Sequence, residues 1–297
     1  MSALNGFSPP AVLHSGLPTD NLAIAYRRRF RGAGRSHLLS GSGGAGASPA
    51  WVTAADFCSR DLPLGEVPVP AAPDVHLWYL DLSVLWQPLS SVMDSAADVA
   101  RPGPGDLTTR QLRIARRFYL RMLLGAYLGL AGKDVSLIRG ARGKPELDVA
   151  RHGTGLHFSL AKSGSGLLIG ISGAAEVGVD LELEHRMPRR ANDLARRFFT
   201  AREADFIDSL DEKTERDAAF IRTWACKEAV AKASGHGIAN RFCRFSIAAA
   251  ASGPPSVVED EDLVAGGWQL ALVVPERGYI AAVAVQQSAL RVSGFRL

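Results

Sequence analysis

The chain has 297 residues, 47% hydrophobic and 22% charged, with a formal net charge of +4. That is the composition of an ordinary globular protein able to bury a sizeable core in one or two domains. No apolar run reaches the length of a membrane span, no secretory signal pattern is present, and Cys58, Cys226 and Cys243 are too few and too scattered for a disulfide framework or a zinc site. A cytoplasmic location and no membrane association are therefore expected.

Residues 1–72 do not read as a packed domain. Arg27-Arg-Arg-Phe-Arg-Gly32 precedes the low-complexity run Ser40-Gly-Ser-Gly-Gly-Ala-Gly-Ala-Ser-Pro49, and Pro63, Pro68, Pro70 and Pro73 stiffen the approach to the first strand. An Arg- and Ser-rich start is compatible with a transit peptide or with a dispensable tail. His76–Leu82 reads as that first strand, followed by a Pro/Gly loop at 102–105. Leu107–Leu130 reads as a long amphipathic helix. Its Arg110, Arg113, Arg117 and Arg121 recur at spacings of three and four and so form one stripe. From Arg101 to Lys144 ten basic residues face only Asp106 and Asp134, a local charge of +8. Such a patch fits a nucleic acid, a phosphorylated cofactor or an acidic protein on charge alone, or simply a solvated face.

Val135–Ile138 leads to the turn Arg142-Gly143-Lys144-Pro145, where glycine allows a tight bend and proline stiffens it. Leu156–Gly164 is a strand running into a Ser/Gly turn, Leu167–Ile171 another, and Thr200-Ala-Arg-Glu203 a helix capping box. Cys243–Ile247, Trp268–Val274 and Tyr279–Val285 read as closing strands, and 253–267 as an acidic surface loop. Cys226 reads as a small packed helix residue, with a reactive thiol as the alternative.

The most informative stretch is 177–232. Val177, Val179, Leu181 and Leu183 alternate with Gly178, Asp180, Glu182 and Glu184, so a strand turns the acids to one face. A helix from about Glu215 to Ser234, stopped by Gly235, stacks Trp224, Glu228 and Lys232 at intervals of four. If the helix crosses the strand, Asp180, Glu182 and Glu228 converge, and three carboxylates repel one another unless a cation neutralises them. Hard oxygen ligands suit Mg²⁺ or Mn²⁺, completed by phosphate oxygens. Lys227 and Lys232 would then face that phosphate. The plainer reading is a solvated strand face with Glu228 and Lys232 as a helix-surface ion pair.

Gly178-Val-Asp-Leu-Glu182, Arg197-Phe-Phe-Thr-Ala-Arg-Glu203, Trp224-x-x-Lys-Glu-Ala-x-x-Lys232 and Gly235-x-Gly237, in this order, resemble the 4'-phosphopantetheinyl transferases, in the longer, surfactin-synthetase-activating form. The resemblance covers roughly residues 74–286. It implies an α+β fold of two similar α/β subdomains, 74–172 and 173–290, with the active site between them, behind an N-terminal extension 1–72. The short Phe-Ser strands His157–Ser159 and Arg244–Ser246 are the trace of that duplication. It further implies Mg²⁺-dependent transfer of 4'-phosphopantetheine from coenzyme A to a serine of an acyl or peptidyl carrier protein, releasing 3',5'-ADP. Asp180, Glu182 and Glu228 would hold Mg²⁺ or Mn²⁺ against the pyrophosphate, with Asp180 close to coenzyme A. Glu228 is the candidate base, and Lys232 and Lys227 stabilise the leaving group.

On the coenzyme side the resemblance implies that Gly143, Lys144 and Pro145 meet the adenine end. Lys162 stands where the family has a histidine on the 3'-phosphate, with Ser159 and Ala161 also departing from the usual Asn and Ser. Ser163 is expected to add a hydroxyl, and Arg110 and Arg113 to attract phosphate. A family glutamate at position 203 also approaches the active site. A chain holding both halves of the site is expected to be a monomer. A homologue that binds coenzyme A or the carrier without catalysis is the alternative. A nucleic-acid role has no helix-turn-helix, zinc-finger or RNA-binding signature behind it.

Overall fold

A computed structural model describes residues 51–93, 107–140, 143–153, 156–184, 191–235, 242–249, 253–260 and 267–297. The first fifty residues, the 102–105 loop and Gly237 lie outside the described residues. The first strands are β1 (Trp51–Thr53), β2 (Phe57–Ser59) and β3 (Asp74–Asp81), followed by helices α1 (Leu82–Met93) and α2 (Thr109–Leu128). Then come β4 (Leu137–Arg139), β5 (Pro145–Leu147), the short helix α3 (Val149–His152), β6 (His157–Ser163), β7 (Gly166–Ser172) and β8 (Val177–Leu183). Helices α4 (Ala191–Phe198), α5 (Ala201–Asp208) and α6 (Lys213–Ala233) precede β9 (Phe245–Ala248), β10 (Ser256–Asp260), β11 (Trp268–Val274), β12 (Tyr279–Gln286) and β13 (Arg291–Arg296).

The near-continuous apolar runs of β3, β7 and β12 are covered on both faces, and this dictates the layering. A five-stranded sheet, β2-β13-β3-β7-β6, turns Trp78, Leu80, Leu167 and Ile169 outward onto Tyr119, Leu123 and Leu124 of α2. A four-stranded sheet, β1-β11-β12-β8, turns Leu272, Ile280 and Ala282 outward onto Ala225, Ala229 and Val230 of α6. The alternate residues, among them Leu77, Tyr79, Leu168, Val179, Leu181 and Val283, meet in a third core between the sheets. The architecture is α+β, helix–sheet–sheet–helix.

Both sides of the sandwich are closed. On one side residues 51–59 pair in parallel with β11 of one sheet and with β13 of the other. On the other, β8 lies along β6, joined through serine side chains. The expected extension 1–72 is thus corrected from residue 51 onward. Trp51–Ser59 belongs to both sheets, and Val67 N–H bonds the Ala126 carbonyl at 2.9 Å. The expected boundary at 290 is also moved, because β13 returns to pair with β3. Helix α1 falls in a stretch where Pro88 inside the helix masks helical propensity. The Phe-Ser trace of duplication is not topologically equivalent: β6 belongs to the main sheet, whereas among the described residues β9 pairs only with β10, inside the expected acidic loop.

Helix boundaries follow local chemistry. Thr108 caps α2 by accepting from Gln111 N–H, and Gly129 ends it at φ 65°. Helix α6 ends at Ser234, with Gly235 at φ 65°.

Candidate active site

The site forms where α6 lies directly on β8. Even-numbered residues of β8 face the helix, and Gly178 decides how close the helix comes. A Cβ there would sit 1.9 Å from the Ala229 carbonyl oxygen and 2.5 Å from Ala233 N, so no other residue permits this backbone approach. The small residues Ala229 and Ala233 fill the contact, and their neighbours Glu228 and Lys232, one turn apart, fall beside the next even residue, Asp180. Lys232 Nζ donates to Asp180 Oδ1 at 2.8 Å and to the Val179 carbonyl at 3.1 Å.

Asp180 is 5% exposed and Glu228 7% exposed. Burial pushes the Asp180 carboxyl above the ordinary carboxylate range, opposed by the Lys232 ammonium and the Leu181 backbone N–H. Burial also pushes Glu228 up to about 7; the charge of Asp180 raises it further, Lys232 opposes, and Glu182 adds to the rise. The three expected carboxylates therefore feel one another, and Glu182 is the half-buried member. Among the described residues, no three His, Cys, Asp or Glu side chains sit close enough together to form a ready-made metal cage. Yet, among the described residues, Asp180 Oδ2 is buried with no hydrogen-bond partner. A buried carboxylate oxygen without a donor, beside a glutamate whose carboxyl burial and then Asp180 push up, is a position that a hard cation would complete. The donor set is all oxygen and fits Mg²⁺ or Mn²⁺.

Lys227 corrects the expectation that it faces phosphate. It is 0% exposed, one residue and about 100° around the helix from Glu228. Its ammonium donates to the carbonyls of Phe242 (2.6 Å) and Phe245, pairs with Glu203 Oε2 at 2.9 Å, and lies over the Phe245 ring. Glu203 is equally engaged: it closes the Thr200 capping box and accepts Ile247 N–H at 2.7 Å. Glu203 therefore braces Lys227, and both capping and bracing explain its carboxylate. Trp224 sits among Phe198, Phe199, Phe220 and Phe242, as core. Burial raises the Cys226 thiol well above its ordinary value, as expected of a packed residue.

The coenzyme-side residues divide. Gly143, at φ 80°, forms the turn of the β4–β5 hairpin, Pro145 begins β5, and Lys144 is half-buried and paired with Glu176 at 3.4 Å. Arg110 and Arg113 are exposed on α2, while Arg121 donates to the Val135 carbonyl and leaves the stripe. Ser163, expected as a phosphate donor, is buried; its Oγ accepts Leu183 N–H at 3.1 Å. Ser159 Oγ likewise accepts Val179 N–H at 3.2 Å. With 159 beside 179 and 163 beside 183, Lys162 stands level with Glu182, and its side chain is exposed.

Gly178 and Ser159 are the residues that sequence reasoning passed over. A glycine two before an aspartate in an otherwise apolar strand was the available signal for close approach.

A model of the 4'-phosphopantetheinyl transferase superfamily matches residues 176–284. The 4'-phosphopantetheinyl transferase HetI of Nostoc sp. is 34% identical over 226 residues, covering 71% of this chain and 87% of that protein. A putative 4'-phosphopantetheinyl transferase, slr0495, of Synechocystis sp. is 38% identical over 129 residues, 43% of this chain and 51% of that protein. Among solved structures, the holo-[acyl-carrier-protein] synthase of Neisseria meningitidis aligns at 23% identity and a TM-score of 0.32 over 37% of this chain and 95% of its own.

Proposed function

This chain belongs to the 4'-phosphopantetheinyl transferase superfamily and is an enzyme of that family, and we propose that it transfers 4'-phosphopantetheine from coenzyme A to a serine hydroxyl of an acyl or peptidyl carrier protein, releasing 3',5'-ADP. The observation that carries this reading is the Asp180–Glu228–Lys232 cluster, with Asp180 Oδ2 left without a partner. The sequence motifs favour the longer, surfactin-synthetase-activating form, acting as a cytoplasmic monomer.

Asp180, Glu182 and Glu228 are the residues that would hold Mg²⁺. A cation held there would supply positive charge to the phosphoryl oxygens. The chain's own groups do the rest. Glu228 takes the proton of the carrier serine as its oxygen bonds to the pantetheine-bearing phosphorus. The bond from that phosphorus to the bridging oxygen breaks, and 3',5'-ADP leaves with the electron pair. Lys232 favours the charged form of Asp180 against its burial and supplies fixed positive charge near the leaving phosphate. Lys162, level with Glu182, is a compact cation for the 3'-phosphate in the place of the family's histidine. Arg110, Arg113 and the Gly143–Pro145 turn extend the positive surface toward the adenine end and toward an acidic carrier.

The departure at Ser159–Lys162 supports a second reading, coenzyme A or carrier binding without transfer. Intact-mass measurement of an apo acyl carrier protein, incubated with this protein, coenzyme A and Mg²⁺, separates the two. A gain of one phosphopantetheine on the carrier serine, abolished by EDTA and by Glu228→Gln, is expected. Tight coenzyme A binding with no mass gain across several carriers would favour the second reading.

A further inference from the structure

Among the described residues, strand β8 is the outermost strand of its sheet, so its backbone groups turned away from β12 have no strand to pair with. Buried N–H groups are costly to leave unpaired, and here side chains satisfy them. Val179 N–H donates to Ser159 Oγ and Leu183 N–H to Ser163 Oγ, while Lys232 donates to the Val179 carbonyl. Ser159 is 1% exposed and Ser163 7% exposed, so bulk water does not stand in for them. The two serines are four apart on β6, their partners four apart on β8. One bond falls immediately before Asp180, the other immediately after Glu182.

We propose that Ser159 and Ser163 are positioning residues: by fixing the free edge of β8 they hold Asp180 and Glu182 at the distance from Glu228 that a divalent cation requires. The inference rests on the proposed function and asks neither serine to touch substrate or cation. Three features support it. The bonds bracket the two acidic residues and no others. Ala161, the residue between the serines on the same face, lacks a hydroxyl opposite Leu181, whose N–H instead favours the charged Asp180 carboxylate. Finally, α6 clamps the same strand from its other face through Gly178, so β8 is gripped from two directions at the point where its carboxylates are displayed. Support of this kind, one layer behind the ligands, sets the precision of a site.

Alanine is tolerated in this row, since Ala161 occupies it at 3% exposure, so Ser→Ala variants are expected to fold. The test uses the full chain as wild type, as Ser159→Ala/Ser163→Ala, and as Ser172→Ala. Ser172 is a control: it is 1% exposed, and its Oγ accepts from Ala174 and Ala175 N–H, away from β8. Hydrogen exchange at the Val179 and Leu183 amides and titration with Mn²⁺ are measured on each. The double variant is expected to exchange at both amides about tenfold faster and to bind Mn²⁺ about three- to tenfold more weakly. Ser172→Ala should change neither. Unaltered exchange in the double variant, or an equal loss of Mn²⁺ affinity in Ser172→Ala, overturns the proposal. Wild-type protein that binds no Mn²⁺ removes the proposed function and the positioning role with it. Wild-type protein that binds Mn²⁺ no better than the double variant removes the positioning role alone.

Discussion

Lys227 and Glu228 are neighbours on α6, both buried and both chargeable, and their surroundings differ in a single respect. The Lys227 ammonium has two carbonyls, one carboxylate and an aromatic face around it. The Glu228 carboxyl lies instead beside two further acids, with Lys232 as the opposing charge in its field. A buried charge surrounded by complementary groups builds architecture; here it ties α6 to α5 and β9. A buried charge left among like charges is unstable as it stands: it takes up a proton or, as proposed above, a cation from outside the chain. The difference between one helix face and the next separates the scaffold from the chemistry.

The largest expected effect breaks the satisfied side. Lys227→Ala leaves the buried Glu203 carboxylate without its counter-charge and the Phe242 and Phe245 carbonyls without their ammonium donor, and should lower unfolding free energy by about 3–5 kcal/mol in urea denaturation. The unsatisfied side should respond in the opposite sense. A carboxyl raised from 4.5 to about 7 binds its proton more tightly when folded. Its contribution to stability therefore falls as pH rises from about 4.5 to 7 and stays low above that. Glu228→Gln should consequently raise stability at pH 8 by about 2–3 kcal/mol, while lowering transfer by about a hundredfold or more. A loss of stability at pH 8 would mean that Glu228 is as well paired as Lys227.

Gly178→Ala tests the contact that brings the two elements together. The added methyl meets helix backbone, so a loss of about 1–3 kcal/mol is expected, with Mn²⁺ affinity falling further than in Ser172→Ala. The smallest effect belongs to the solvent-accessible Lys144–Glu176 pair, where Lys144 is only half-buried and Lys144→Ala should change stability by less than about 0.5 kcal/mol. A larger change there would show that pairing without full burial carries weight in this molecule.

Much of this was legible in the chain. The alternation of Val177–Leu183 set the β8 faces, and the four-residue spacing of Glu228 and Lys232 set their shared side of α6. What spacing could not distinguish was Lys227 from Lys232: both flank Glu228, and only the docking of β9 and the turn before it decides which one is enclosed. Ser163 was misjudged for a related reason, since a serine before a turn reads as an exposed donor until the neighbouring strand arrives from residue 183. Strands β1, β2 and β13 escaped notice because they are short and pair across more than two hundred residues of sequence, whereas local pattern carries no long-range pairing. Helix α1 was obscured by Pro88.

The claim that the Asp180–Glu228 face is an incomplete charge cluster awaiting a cation is tested most directly by following the Glu228 carboxyl through a pH titration by carbon NMR, with and without saturating Mg²⁺. Titration near 7 without Mg²⁺, falling by more than about one unit when Mg²⁺ is added, is the predicted result. Titration near 4.5 that ignores Mg²⁺ would contradict it.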